Sequence, residues 1–154
     1  MDLKQQIILM KENGLNLQNA PLEMKDDKSV VLVAVRQNGL ALEYASEKLT
    51  NDLEIVTAAL IQNKHAFIHV GLYIKYSIKH IIILLEHKLD IIEYIPNTVK
   101  THMQFLTNAV ALFGLDILDQ LQTTDENRKK LHTYVTELLL NSKYVHLAAA
   151  TLGI

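Results

Sequence analysis

The segment 27–51 reads DKSVVLVAVRQNGLALEYASEKLTN, and a similar segment stands on either side of it. Residues 2–26 read DLKQQIILMKENGLNLQNAPLEMKD, and residues 52–76 read DLEIVTAALIQNKHAFIHVGLYIKY. When the three are aligned, Asp2, Asp27 and Asp52 share one column, and Asn13, Asn38 and Asn63 share another. A fixed period of about this length is typical of a solenoid, in which each unit buries its apolar face only against its neighbours.

Each repeat is predicted to open with a capped amphipathic helix. Extended along the chain, the frame gives six repeats, and five of them begin with Asp, Ser or Asn. These side chains accept hydrogen bonds from the free N–H groups of a first helical turn. Apolar residues recur four, seven and eight positions after the cap, which is one face of a helix. The first-column residues are Asp2, Asp27, Asp52, Ser77, His102 and Asn127.

A second, shorter helix is predicted after a tight turn. Asn38-Gly39 stands where the first helix should stop, and glycine in the left-handed conformation closes helices without a Cβ penalty. Asn-Gly between apolar runs is also typical of a β-hairpin. The apolar residues that follow the turn are spaced by three and then four, however, and this favours helix.

The sequence therefore predicts an all-α fold, a solenoid of helix-turn-helix repeats of about 25 residues within a single domain, 1–154. The identities fade beyond Tyr76, so the C-terminal half is expected to be degenerate. The alternative is three repeats followed by a helical bundle with longer helices, such as one over 67–87.

Composition excludes several classes of function. The chain has 154 residues, is 49% hydrophobic, and carries a net charge of -2, which opposes a dominant electrostatic grip on nucleic acid. No apolar run approaches the roughly 20 residues of a membrane span or resembles a signal peptide, so no membrane association is expected. The chain has no cysteine, which fits a reducing compartment and predicts a cytoplasmic protein.

The motif NGLALEYASEKLTND, preceded by DKSVVLVAVRQ, resembles the helical-repeat family known as domain of unknown function 4116. Residues 27–52 match its pattern closely, 2–26 match in part, and 53–76 match weakly. The pattern is an acidic cap, an apolar helix, Asn-Gly-Leu, then Ala-Leu-x-Tyr-Ala-Ser. Because such domains occur in bacterial proteins, including effectors injected into host cells, the resemblance implies a helical repeat and a host-facing role. It implies no catalytic residues.

Histidines offer the alternative of a small helical enzyme or metal-binding protein. His65 and His69 are four residues apart and would share one face of an α-helix, as paired metal ligands do. No glutamate stands between them in the HExxH arrangement, and no glycine-rich phosphate loop or nucleophile elbow occurs. We therefore expect no catalytic residue, no bound metal and no cofactor.

Aromatic residues indicate a binding surface instead. Tyr44, His69 and Tyr94 share one column of the second helix, and Tyr73 lies one helical turn beyond His69. Residues of one column line up along a solenoid, and tyrosine is a common interface anchor. The same residues would alternatively fill the core between repeats.

A second candidate surface is the apolar stretch around Leu72, Tyr73 and Tyr76, whose alternative is the most buried helix of the fold. We thus predict a module that binds another protein, either as a bacterial effector or as a regulator of one, or that binds a second copy of itself as a homodimer. The predicted site is Tyr44, His69, Tyr73 and Tyr94. The expected location is the cytoplasm, or a host cell if the protein is an effector.

Overall fold

Helices form every regular element among residues 3–140, the part of the chain that this computed structural model describes. The α-helices are α1 (Leu3–Glu12), α2 (Leu22–Lys25), α3 (Lys28–Gln37), α4 (Glu47–Thr50), α5 (Leu53–Gln62), α6 (Leu72–Lys75), α7 (Ile78–Glu86), α8 (Asn97–Lys100), α9 (Met103–Phe113), α10 (Ile117–Gln120) and α11 (Asp125–Leu140). Segments of 3₁₀ helix cover Gly14–Asn19, Gly39–Tyr44, Lys64–His69 and Ile92–Tyr94. The all-helical prediction is confirmed for this part of the chain.

The odd-numbered helices α1 to α9 are the predicted first helices, and they bury the predicted face. The position four residues after the cap is buried in all six repeats, from Gln6 to Leu131. Eight residues after the cap, the side chains from Met10 to Val110 are buried as well. The position seven residues after the cap belongs to the same predicted face, but its residue in the sixth repeat, Tyr134, is exposed. The helix α3 packs closely against both α1 and α5.

The prediction of one continuous second helix is wrong. The chain instead forms a 3₁₀ segment, breaks, and then adds a single α-helical turn, as in Gly39–Tyr44 followed by α4. The break falls on one column of N-cap residues, Pro21, Ser46, Gly71 and Pro96. Proline removes an N–H donor and serine competes for the backbone, so neither favours a helix interior. That column is a sequence signal for the break.

The glycine after Asn38 is needed for a reason other than the predicted one. Asn38 is extended, and its side chain accepts a hydrogen bond from the Leu40 N–H, so it begins the 3₁₀ segment. A Cβ on Gly39 would lie 2.4 Å from the carbonyl oxygen of Ala59, and one on Gly14 would lie 2.2 Å from that of Ala34. Close approach to the next helix therefore requires glycine at both positions. Among the described residues, positive φ occurs instead at Lys88, Gly114 and Gln122, with φ 58°, 80° and 51°.

The predicted caps are partly confirmed. Asp27 accepts from the N–H groups of Ser29 and Val30, and Asp52 does the same at the start of α5. Ser77 makes no capping bond, because its hydroxyl pairs with His80 Nδ1 at 2.8 Å. His102 caps α9 unexpectedly, through Nδ1 and the Gln104 N–H. Asn127 lies inside α11, and Asp2 lies outside the described residues.

The chain divides into two compact parts, Met1–Tyr94 and Ile95–Ile154. The first contains α1 to α7 and the second α8 to α11, where α9 packs against its neighbours α8, α10 and α11. The long helix expected over 67–87 in the alternative fold is absent, since three separate helical segments cover that range. The prediction of one domain stays a prediction.

Candidate partner-binding surface

Four apolar side chains in the second half of the third repeat lie on the surface. Ile68, Leu72, Tyr73 and Tyr76 expose 61%, 70%, 68% and 54% of their area, and we call them the third-repeat patch. Leu72 and Tyr76 are four residues apart and Tyr73 and Tyr76 three apart, so the side chains at each spacing are neighbours. The alternative that Leu72, Tyr73 and Tyr76 form the most buried helix is therefore wrong.

The first, second and fourth repeats carry polar residues at nearly all the equivalent positions. In the order first, second and fourth repeat, the residues equivalent to Ile68 are Gln18, Glu43 and Glu93, and those equivalent to Leu72 are Leu22, Glu47 and Asn97. The residues equivalent to Tyr73 are Glu23, Lys48 and Thr98, and those equivalent to Tyr76 are Asp26, Asn51 and Thr101. Helices α2, α4 and α8 form with these residues in place. The fold therefore does not require an apolar patch here.

Buried anchors and a cap from the preceding repeat hold the patch in place. Phe67, Val70 and Ile74 belong to the same segment of chain and are buried. Gly71 caps α6 without a side chain, and Asn51 Oδ1 instead accepts from the N–H groups of Tyr73 and Ile74 at 3.1 and 3.4 Å. A Cβ on Gly71 would lie 2.2 Å from that same oxygen. A loop of the second repeat thus fixes the start of α6.

Lys75 ties the patch to the 3₁₀ segment before it. Its Nζ donates to the carbonyl oxygen of Ile68 at 2.8 Å and lies 5.9 Å from the ring centroid of Phe67. Burial lowers the pKa of Lys75. Its aliphatic stem is therefore part of the packed surface, while its amino group holds the Ile68 backbone.

The sequence segment that carries the patch is basic. No Asp or Glu occurs between Glu54 and Glu86, whereas Lys64, Lys75 and Lys79 all lie in that interval. Lys64 pairs with Asp90 at 2.6 Å and with Glu93 at 3.3 Å. A chain with a net charge of -2 therefore has a locally basic segment around its exposed apolar residues.

The predicted site residues lie on two kinds of element. Tyr44, His69 and Tyr94 end three 3₁₀ segments and are half-buried, whereas Tyr73 is exposed on α6. Tyr73 does not extend the helix of His69, because the chain breaks at Val70-Gly71 between them. Its ring contacts His80 with centroids 5.1 Å apart. Their role as a partner site stays a prediction.

Tyr94 packs back onto the third repeat. Its hydroxyl lies 2.6 Å from His65 Nδ1, and its ring meets those of His65 and Phe67. Burial, reinforced by Glu93, raises the pKa of Tyr94. This residue fills space between 3₁₀ segments as well as presenting a polar tip.

His65 and His69 do not share a helical face as expected. They lie in a 3₁₀ segment, Lys64–His69, where three residues complete a turn, so a residue four positions on points about a third of a turn away. His65 is also engaged by Tyr94. Across the described residues, no group of three or more His, Asp or Glu side chains is placed to hold a metal ion.

Two overlapping segments match the family described as domain of unknown function, DUF4116. The matches cover residues 6–50 and 30–75, so the second lies about one repeat further along the chain than the first. The family model thus matches residues 6–75, a little less than half of the chain. This confirms the resemblance over these residues, and the match ends within the third-repeat patch, one residue before Tyr76. No curated protein and no solved structure matches the chain.

Among residues 3–140, no helix has the length and hydropathy needed to cross a bilayer.

Proposed function

We propose that this protein is a solenoid that binds another protein through its third-repeat patch. The observation that carries the proposal is the difference between repeats: the third has Ile, Leu, Tyr and Tyr at positions where the first, second and fourth are polar except at Leu22. Exposed apolar groups cost free energy in water unless a partner covers them. Tyrosine is enriched among the residues that carry binding energy.

Contacts that recur at the repeat spacing support the solenoid. The Ser46 N–H donates to the Lys25 carbonyl, and one repeat later the Gly71 N–H donates to that of Thr50, both at 2.8 Å. A second series joins Gly14 to Gln37 and Gly39 to Gln62, in each case from backbone N–H to side-chain Oε1. Each repeat thus holds its neighbour through the same groups.

The basic segment indicates the chemistry of the partner. An apolar surface flanked by Lys75 and Lys79 complements a partner segment with apolar anchors and acidic neighbours. Fully burying one side chain of this kind contributes about 1.5–3 kcal/mol before the costs of association. Four such anchors are consistent with a specific complex.

Replacing the four residues of the third-repeat patch by their second-repeat equivalents, which we call the swap variant, tests the proposal. The variant Ile68→Glu, Leu72→Glu, Tyr73→Lys, Tyr76→Asn gives the third repeat the residues of the second, which the fold already accepts. Partners are captured with wild-type protein from bacterial lysate and from host-cell lysate, since the family resemblance implies a host-facing role. Each captured protein is then purified, and its affinity is measured by calorimetry.

The proposal predicts that the swap variant keeps the thermal midpoint of wild type and that its affinity for the partner falls at least a hundred-fold. Leu22→Glu is the matched control, because Leu22 is 82% exposed at the first-repeat position equivalent to Leu72. This control should bind normally. Equal affinity of wild type and swap variant would refute the patch. Sedimentation of wild type as a dimer and of the swap variant as a monomer would identify the partner as a second copy.

A further inference from the structure

The chain contains two Asn-Gly pairs, Asn13-Gly14 and Asn38-Gly39, and the fold uses both members of each pair. The asparagine begins a 3₁₀ segment by accepting from the N–H group two residues further on. The glycine lies so close to a carbonyl of the next repeat that no Cβ fits. The fold thus retains a dipeptide that deamidates spontaneously, because glycine has no side chain to hinder attack by its own backbone nitrogen.

Deamidation of such a pair is an attack of the backbone on the asparagine side chain. A solvent base removes the proton of the glycine N–H, and the nitrogen forms a bond to the asparagine Cγ. The bond from Cγ to Nδ2 breaks, and ammonia leaves with a proton from water. Water then opens the succinimide ring on either side and leaves an aspartyl or an isoaspartyl residue. The isoaspartyl form routes the main chain through Cγ, so it would displace the glycine from its close contact.

A glutamine of the following repeat holds the attacking nitrogen in both pairs. The Gly14 N–H donates to Gln37 Oε1 at 2.7 Å, and the Gly39 N–H donates to Gln62 Oε1 at 2.5 Å. A side-chain amide oxygen accepts this bond but is too weak a base to remove the proton. Both glycines are buried, so solvent base reaches their N–H groups only when the bond to glutamine opens.

Gln37 also fixes the backbone on the other side of Asn13. Its Nε2 donates to the Glu12 carbonyl oxygen at 3.3 Å, while its Oε1 accepts from the Gly14 N–H. The peptide groups before and after Asn13 are therefore attached to the same side chain. Ring closure requires the Gly14 nitrogen to move toward the Asn13 Cγ. A backbone that is held on both sides opposes this movement.

The glutamines occur in the repeats that follow the two Asn-Gly pairs. From the first repeat to the sixth, their column reads Glu12, Gln37, Gln62, His87, Leu112 and Glu137. The second and third repeats thus supply a glutamine to the first and second, which carry the pairs. The third repeat has Asn63-Lys64 at the same place, and the fourth supplies His87 there. Glutamine and Asn-Gly therefore occur together across the repeats.

We propose that Asn13-Gly14 and Asn38-Gly39 are latent deamidation sites, and that Gln37 and Gln62 keep them unreactive. Separation of two adjacent repeats would break the bond to glutamine, so deamidation would follow that opening and make it irreversible. The proposal rests neither on the third-repeat patch nor on a partner. The alternative role of the glutamines is to satisfy a buried N–H group without any effect on reactivity.

The test compares wild type with Gln37→Met and Gln62→Met, each incubated at mildly alkaline pH both folded and in denaturant. Methionine is similar in length to glutamine, but its thioether is only a weak acceptor. Trypsin separates the two sites, since the peptides 12–25 and 37–48 contain one Asn-Gly pair each. Fragment-ion mass spectrometry follows the loss of the side-chain amide. The rate in denaturant divided by the rate in the folded protein gives the protection of each site.

Gln62→Met should lower the protection of Asn38 about five-fold or more, because the buried Gly39 N–H loses its acceptor. It should leave the protection of Asn13 unchanged. Gln37→Met should do the reverse. Each variant is therefore the matched control for the other, and urea unfolding of both measures how far global stability falls.

Unchanged protection of Asn13 in Gln37→Met and of Asn38 in Gln62→Met would overturn the proposal. Wild-type sites that react as fast in the folded protein as in denaturant would also overturn it. Equal loss of protection at both sites in one variant would do the same, because that pattern reports global unfolding rather than the local bond. If one variant does not fold, the other makes the same test at its own pair, with the second pair as internal control.

Discussion

Asp27 and Asp52 each satisfy two N–H groups of a first helical turn. Replacing either by Ala should lower the free energy of unfolding by about 0.5–2 kcal/mol, because those donors lose their acceptor. Ser77→Ala is the control, since Ser77 heads α7 without a capping bond. Urea unfolding at pH 7 measures all three variants. Equal losses for Ser77→Ala and Asp27→Ala would contradict the assignment of the caps.

The cap at Asp27 should also depend on pH. The hydrogen bond from the Ser29 hydroxyl, with those from the Val30 and Ser29 amides, holds the pKa of Asp27 below its ordinary value of 3.8. A lowered folded-state pKa means that the stabilisation is present above about pH 4 and is lost as pH falls through the folded pKa. Asn caps as well as Asp does but does not titrate.

The free energy of unfolding of Asp27→Asn should therefore equal that of wild type at pH 7 and exceed it as the pH falls below about 4. Urea midpoints measured from pH 7 down to the acid limit of folding give the comparison. A constant difference between the two proteins across this range would show that the Asp27 carboxylate contributes no pH-dependent stability.

Tyr73 and Tyr94 should separate binding from folding. Tyr73 is exposed, so Tyr73→Ala should change the unfolding free energy by less than about 0.5 kcal/mol and weaken partner binding. Tyr94→Ala removes contacts with His65 and Phe67 and should destabilise the protein by more than about 1 kcal/mol. Thermal unfolding and calorimetry with the captured partner make both comparisons. Loss of stability in Tyr73→Ala would place that ring in the core.

At the scale of the element, the sequence predicted the first helix of each repeat well and the second poorly. Burial at fixed intervals leaves a periodic apolar signal, and α3, α5 and α9 follow it. In the second segment, Leu42 and Leu49 are both buried although a break at Ser46 separates them. Apolar spacing alone cannot distinguish one helix from two short ones that bury the same side. Asn38 ends α3 as expected, while its side chain also begins the 3₁₀ segment.

Gly39 should be the most sensitive position of this element. A Cβ there would meet the Ala59 carbonyl, so Gly39→Ala must push α5 away and should cost about 1–3 kcal/mol. Lys64 occupies the same column in the third repeat and already has a side chain. Lys64→Ala should lose only its surface ion pairs, at about 0.2–1 kcal/mol. Chemical denaturation that ranks Lys64→Ala as the worse variant would refute the close approach.

At the scale of the whole molecule, the repeat made the helical fold predictable but left open whether the candidate stretch around Leu72, Tyr73 and Tyr76 is exposed or buried. A column describes what repeats share, and Tyr44, His69 and Tyr94 are residues of one such column. The third-repeat patch lies where the third repeat differs from the others, so its exposure depends on which side of α6 faces solvent. That orientation comes from the Asn51 cap and the break at Gly71, which the apolar spacing does not encode.

The repeat arrangement itself predicts which deletions the chain tolerates. Removing residues 27–51 takes out one full period and joins Asp26 to Asp52. Gly14 would then face Ala59 instead of Ala34, and Gln62 would replace Gln37 as acceptor for the Gly14 N–H, so both of these contacts have a substitute of the same kind. Repeats that contact only their neighbours can close such a gap at the cost of one interface. This deletion should keep the helical circular dichroism spectrum and cooperative unfolding at reduced stability.

Removing residues 27–38 alone takes out fewer residues but breaks the frame, because α1 then lies beside a 3₁₀ segment with no helix to pack on. This smaller deletion should abolish cooperative unfolding, since the buried face of α1 loses the helix that covers it. Both proteins are compared with wild type by circular dichroism during a urea titration. If the two deletions are equally damaging, or the full period is the worse one, the chain is held together by contacts specific to each segment and the solenoid proposal is wrong.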